Sequence, residues 1–302
     1  MSDSVPTLSP AESRFRGWKI VIPLFLLPLL IVAGSVGVFY LFGRLAQDRK
    51  TPEETLEEMM RVTGHRRWQL ALELSRSVIL QSPETLDPTF ENRLIEVYRS
   101  SKPDEAQLRT YLTVALANIG HTASATLFVE ALSRSTDSQE QIYSLWALGK
   151  LKDPAGATAI RPYLTSEDPG LRKAAAFSLG FTGGRQDLPS LEHLLEDPIQ
   201  DVQWNAALAL ANLGSDRGSS QIRSMLDLPA LTQATPTLRT DERHEIVISA
   251  LNAALKLKLK GLDRELADLS NAPDARVRTL AQRTQEELRA PGFNTKHGVA
   301  SP

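Results

Sequence analysis

The sequence contains no cysteine, which excludes disulfides, thiolate metal sites and a cysteine nucleophile. Aromatic residues make up only 6% of it. A preponderance of Ala and Leu over aromatic and β-branched residues favours helices over strands. No sign of charge dominates: 34 Lys and Arg stand against 36 Asp and Glu, for a net charge of −2. A dedicated nucleic-acid binder normally carries a basic surplus, so that class is set aside. His65, His121 and His297 lie far apart with no ligand spacing, and there is no Gly-rich phosphate loop, nucleophile elbow or zinc signature. What is present is an apolar fraction of 42% over 302 residues, enough for a packed core and too much for wholesale disorder.

The N-terminal region divides into a polar tail, 1–17, and an apolar stretch. The 23 residues from Ile20 to Phe42 carry no charge. As a helix at about 1.5 Å per residue they would extend ~34 Å, enough for a bilayer core. Trp18 and Lys19 flank one end, and Tyr40 and Arg44 the other, as interfacial anchors do. A cleaved signal peptide would need a shorter apolar region and a small-residue site; here the run continues through Val38 and Phe42. The sequence therefore predicts a single transmembrane anchor over 18–43 and an inner- or plasma-membrane location. Arg14, Arg16 and Lys19 precede it; Arg44, Arg49, Lys50 and Arg61 follow, leaning slightly towards a cytoplasmic body.

Beyond residue 44 the chain repeats. Segments Leu108 to Gly120, Glu140 to Lys152, Leu171 to Gly183 and Val202 to Gly214 align, their ends spaced 32, 31 and 31 residues apart. Positions 1, 5, 8, 9 and 12 of each are apolar or small, apart from Glu140 and a few hydroxyl residues, which is helical spacing. A second apolar-periodic helix follows each segment, as from Leu188 to Glu196. Asp153-Pro154, Asp168-Pro169 and Asp197-Pro198 punctuate the joins, where proline can start a helix but not continue one. Two further segments, Ile246 to Lys258 and Val277 to Arg289, are again 31 apart. The spacing of 44 before them implies an insertion, placed as a loop at 228–240. Arg66 to Leu74 echoes Val202 to Leu210 and reads as a degenerate first unit. The expected organisation is a solenoid of six to seven units over 44–290, its last helix a polar cap, and a disordered tail at 291–302.

Glu167 to Gly180 and Asp197 to Gly214 resemble the HEAT-like repeat of the phycobilisome-lyase type. The resemblance covers about residues 52–290. It implies an all-α fold, an α-solenoid of stacked HEAT-like helix pairs, here preceded by the anchor helix. It implies little chemistry, since most such proteins are binding scaffolds. Two enzyme families share the repeat type. Bilin lyases and isomerases act on chromophores, for which the sequence has no signal. Deoxyhypusine hydroxylases hold two irons with repeated His-Glu pairs, and this chain has one such pair, His244-Glu245, with Glu192-His193 reversed. A solvated helix face explains a single pair. No catalytic residue, cofactor or metal ligand is assigned.

Stacking equivalent positions brings out two patterns. On the second helices, Glu130, Arg161, Glu192 and Arg223 recur every 31 residues with alternating sign, as an inter-repeat charge ladder would. On the first helices, position 7, opposite the core positions, holds Val114, Trp146, Phe177 and Leu208, with Ile142, Trp204 and Phe181 beside it. Such an apolar stripe is either lateral packing between neighbouring helices or a protein-docking face. The resulting expectation is a membrane-tethered scaffold or adaptor for a protein partner, such as a membrane-complex subunit. The alternatives are an enzyme or accessory of the bilin-lyase kind and a purely structural subunit of a membrane complex.

Overall fold

A computed structural model describes residues 32–40, 50–81 and 86–289. The chain forms two units, Met1–Thr51 and Pro52–Pro302. In the first, residues 32–40 form helix α1. Among the described residues no helix is long and apolar enough to cross a membrane. That finding overturns the membrane location expected from the sequence and leaves the anchor at 18–43 unsupported. The flanking parts of the apolar run, 20–31 and 41–42, and the tails at 1–17 and 291–302 lie outside the described residues.

The second unit is a series of helix pairs, and no strand occurs among the described residues. Helix α2 (Pro52–Arg61) opens it and packs on α3. The first helices of the pairs are α3 (His65–Ile79), α5 (Ala106–Ile119), α7 (Ser138–Leu151), α9 (Pro169–Thr182), α11 (Gln200–Asn212), α14 (Thr240–Leu257) and α16 (Ala275–Arg289). Each packs against the next in chain order. The second helices are shorter: α4 (Phe90–Arg99), α6 (Ala125–Arg134), α8 (Ala157–Ile160), α10 (Leu188–His193), α12 (Ser219–Leu226) and α15 (Asp263–Leu269). Tight 3-10 turns extend several of them, as at Arg161–Thr165 after α8.

The Asp-Pro joins act as helix starts. Asp168 ends its extended segment and accepts the Gly170 N–H at 2.7 Å, with Pro169 at the position whose amide needs no partner. Asp153 caps the Pro154 turn in the same way, through the Ala155 N–H at 2.9 Å.

The stacking of first helices depends on small residues. Position 8 of the six repeats from α5 onward is Ala115, Ala147, Ser178, Ala209, Ala253 and Thr284. Position 10 of one helix meets position 8 of the next. A Cβ on Gly149 would lie 2.7 Å from the Ser178 Cα, and one on Gly180 would lie 2.9 Å from the Ala209 Cα. Glycine at these two positions lets α7, α9 and α11 approach backbone to backbone. Ser178 uses the closeness: its hydroxyl donates to the Leu145 carbonyl of α7 at 2.6 Å.

Two buried apolar clusters run along the unit. One extends from Leu56 to Leu210, the other from Trp204 to Ala281. Helix α11 serves both, with Val202, Ala206 and Leu210 in the first and Trp204, Ala207 and Ala211 in the second. Each layer thus contacts only its neighbours, as in a repeat array.

The insertion differs from expectation. Residues Leu228–Ala234 form a helix, α13, rather than a loop. Asp227 accepts the Ala230 N–H at 3.0 Å, Pro229 stands in the first turn, and Leu231 is buried in the second cluster. An i, i+3 apolar pair, Leu228 and Leu231, behind an N-cap suffices to fold the segment against its neighbours.

Candidate protein-docking face

The seven residues of the apolar stripe take three different positions. Trp204 is buried, only 4% exposed, and joins Met225, Leu226 and Leu231 in the second core, its ring N–H 3.4 Å from the Ser224 hydroxyl. It is a core residue, covered on the side where α12 packs against α11. Val114, Ile142, Trp146, Phe177 and Leu208 are half-buried. Phe181 is exposed, at 38%.

The part of the stripe on α7, α9 and α11 stays together. Phe177 and Phe181, one turn apart on α9, lie with ring centroids 5.1 Å apart. With Leu208 and Ala209 of α11 and Ala253 of α14, they line a groove of about 260 Å³. Asn205, Asn212, Ser249, Asn252 and Lys256 complete its lining. The Lys152 ammonium sits 5.8 Å from the Phe181 ring centroid, and that of Lys150 is 5.2 Å from the Trp146 centroid. Apolar surface bordered by lysines is thus concentrated across three successive first helices.

The charge row on the second helices does not pair with itself. Arg161 reaches Asp187 in the next turn, at 2.6 Å, rather than Glu130 or Glu192. Arg223 pairs with Glu265 at 3.0 Å and also donates to the Gly261 and Lys260 carbonyls. Glu130 is 3.9 Å from Arg134 within its own helix, and Glu192 is 4.0 Å from Arg217. A ladder among the four is therefore absent. Arginine reaches past the neighbouring second helix to the turn that starts or ends it, where carboxylates and free carbonyls concentrate.

A different set of inter-repeat bonds, not anticipated from the sequence, lies at position 2 of the first helices. Gln141 donates to the Ser135 carbonyl at 2.7 Å, Arg172 to that of Ser166 at 2.7 Å, Gln203 to that of Asp197 at 2.6 Å and Arg278 to that of Ala272 at 2.7 Å. Each acceptor is six residues upstream, in the turn that enters the helix. Arg109 does the same with the Lys102 and Pro103 carbonyls. The recurrence of Arg or Gln in one column of the alignment was the available signal. Two of these arginines also bind a carboxylate of the next unit: Arg109 binds Glu140 and Arg172 binds Asp197, both with a shortest distance of 2.7 Å.

Glu140 explains its own exception to the apolar pattern. Its buried carboxylate accepts from Arg109 Nε and Nη2, from the Tyr98 hydroxyl at 3.1 Å and from the Ser135 hydroxyl at 2.9 Å. Burial, together with the Glu140 charge beside it, pushes the Tyr98 hydroxyl well above the usual phenol range, so it remains a donor. The Glu140 hydrogen bonds raise the Arg109 guanidinium further, against burial. This cluster faces a cavity of about 530 Å³ between α4, α5, α6 and α7. A carboxylate saturated by four donors has no lone pair free to act as a base, so the cluster serves as a joint between units.

His244 and Glu245, the one His-Glu pair, turn to separate partners. His244 Nδ1 lies 3.2 Å from Asp274 Oδ2, and Glu245 accepts from Arg276 at 2.5 Å. Among the described residues, no group of three or more His, Asp or Glu side chains is placed to hold a metal.

Comparison with known proteins agrees with this architecture. Residues 125–211 and 163–256 match the family profile of HEAT repeats. None of the curated proteins matches the chain. Among solved structures, the complex of CpcE and CpcF of phycocyanin lyase from Nostoc sp. is similar, with 18% sequence identity, a TM-score of 0.58 and coverage of 80% of this chain and 89% of that one. Human deoxyhypusine hydroxylase aligns with 15% identity and a TM-score of 0.35, over 84% of this chain and 98% of that one.

Proposed function

On this HEAT-repeat solenoid we propose a protein-binding scaffold or adaptor whose docking face is the outer side of α7, α9 and α11. The observation that carries the reading is that exposed Phe181 and half-buried Phe177 and Leu208 line one groove, with half-buried Trp146 on the neighbouring first helix. Apolar side chains that served only internal packing would be covered, as Trp204 is. Large aromatic side chains on an otherwise polar surface are what partner surfaces use as anchors. The groove is lined by apolar side chains, asparagine amides, Ser249 and Lys256, a lining suited to binding rather than to a reaction.

The test is photo-crosslinking in cells from a photoreactive residue placed at Trp146 or Phe181, followed by mass spectrometry. One dominant protein adduct at both positions is expected. Failure to crosslink at either position would overturn the reading.

A second reading is an accessory of a bilin-attaching enzyme, supported by the fold likeness to the Nostoc complex over 80% of the chain. It expects the purified protein to perturb the visible spectrum of an added linear tetrapyrrole. An unchanged spectrum at saturating protein would remove its support.

A further inference from the structure

We infer that the groove between α9, α11 and α14 docks an acidic peptide segment carrying one apolar anchor side chain. This deepens the docking reading above and rests on it.

Three observations specify the ligand. The first is size. A groove of about 260 Å³ falls just short of the ~300–1,000 Å³ of small-molecule sites. It accommodates an anchoring side chain rather than a whole ligand, on an apolar floor of Phe177, Phe181 and Leu208.

The second is charge. No carboxylate lines the groove. Lys256 lines it, Lys152 sits 5.8 Å from the ring centroid of its Phe181 and Lys150 lies by Trp146 on the neighbouring helix, and among the described residues none of the three is in an ion pair. Most arginines of the solenoid, by contrast, have a carboxylate partner. Lys256 donates to the Asn212 carbonyl at 2.7 Å and Lys150 to the Asn118 side-chain oxygen at 2.5 Å. Both acceptors are neutral, so the positive charge remains uncompensated. The larger cavity by Glu140 carries both signs on its rim, with Asp104, Glu130, Arg99 and Arg134, and offers no such bias.

The third is hydrogen bonding. The side-chain amides of Asn212 and Asn252 line the groove and make no hydrogen bond among the described residues. An amide offers a donor and an acceptor together, which matches the C=O and N–H of a peptide backbone. An apolar anchor, flanking carboxylates and an extended backbone therefore each find a counterpart on three neighbouring helices.

The experiment uses the full chain and a fluorescent heptapeptide of alternating Glu and Asp with a central Phe, read by anisotropy. Two control peptides replace the acidic residues by Lys or the Phe by Ser. The acidic Phe peptide is expected to bind at least tenfold more tightly than either control, and more weakly as salt rises. Combining Lys152→Glu with Lys256→Glu, or making Phe181→Ser alone, should weaken it at least tenfold with an unchanged melting temperature. Lys102→Glu and Lys260→Glu, outside the groove, should not. Equal binding of the Lys peptide, or indifference to the groove substitutions, would overturn the inference. If crosslinking from Phe181 still yielded one protein adduct, only the acidic class would fall. If no adduct formed either, the docking reading would fall with it. A dimer of the chain abolished by Phe181→Ser would also overturn the inference, by assigning the groove to a second copy.

Discussion

The guanidinium of Arg109 on α5 grips both carboxylate oxygens of Glu140 on α7, at 2.7 and 3.0 Å. The pair crosses from one repeat to the next at a position that is apolar elsewhere, as in Leu108, Leu171 and Val202. Removing the two partners should have unequal effects. Arg109→Leu leaves a buried carboxylate with only Tyr98 and Ser135 as donors and is expected to cost about 3 kcal/mol. Glu140→Leu restores the repeat pattern, and Arg109 keeps the Lys102 and Pro103 carbonyls, so a loss nearer 1 kcal/mol is expected. Urea unfolding of the two variants gives the comparison; equal losses would show that the carboxylate does not depend on the arginine.

Acid should loosen the turns between repeats. The Arg172 hydrogen bonds hold the Asp197 carboxyl below the usual carboxylate range, against its burial, and the Ile199 N–H adds to them. For Asp187, burial pushes up, but Arg161 and the Gly184 N–H outweigh it, and the carboxyl again lies low. Depressed folded-state values mean that the unfolded chain takes up protons first as pH falls. Their contribution is therefore fully present above about pH 5 and is lost as pH drops through and below the ordinary carboxyl value. Unfolding free energies measured from pH 7 to pH 3 should fall at the acid end. Asp197→Asn should lower the neutral plateau and flatten that fall.

Gly149→Ala should destabilise, although Ala is favoured over Gly inside a helix by about 1 kcal/mol. The added methyl would meet the Ser178 Cα at 2.7 Å, which is backbone and cannot rotate away. Gly180→Ala faces the same limit at the Ala209 Cα. A net loss of about 1–3 kcal/mol is expected for each, as for overpacked cores. A raised melting temperature in either variant would show that the first helices are not in backbone contact there.

Trp204 and Phe181, on one face by sequence, should part company in experiment. Trp204→Ala is expected to cost about 3–5 kcal/mol, as for a large aromatic in a core. Phe181→Ser should stay within about 1 kcal/mol, since the ring is more than a third exposed. Thermal and urea unfolding of both variants checks this.

A double-mutant cycle separates the two versions of the charge row. Arg161 paired with Asp187 should show coupling, and Arg161 paired with Glu192 should show none. Coupling to Glu192 would restore the ladder read from the sequence.

Much of the fold was legible because a repeat array is nearly one-dimensional. The 31-residue period and the apolar or small residues at positions 1, 5, 8, 9 and 12 place most of the first helices without knowledge of distant contacts. The position-2 donors could have been read from the same alignment, since they satisfy carbonyls a fixed six residues away. The docking face was legible only in part. Position 7 marks a side of the helix, but whether that side is open depends on what packs over it.

The sequence by itself determined that this protein is an all-α solenoid with Asp-Pro joins and a regular stack, because local periodicity and capping suffice for that. The tertiary structure decided three other things. It folded 228–234 into a helix and buried Trp204 in the second core. It sent Arg161 and Arg223 to the turns of the following repeat instead of to their own row. And it left Phe181 exposed while Val114, Ile142, Trp146, Phe177 and Leu208 of the same stripe became half-buried. Composition and spacing settle which residues lie on which side of a helix. What covers that side, and which charge a long side chain reaches, is settled by distances between repeats, and those arise only when the layers pack.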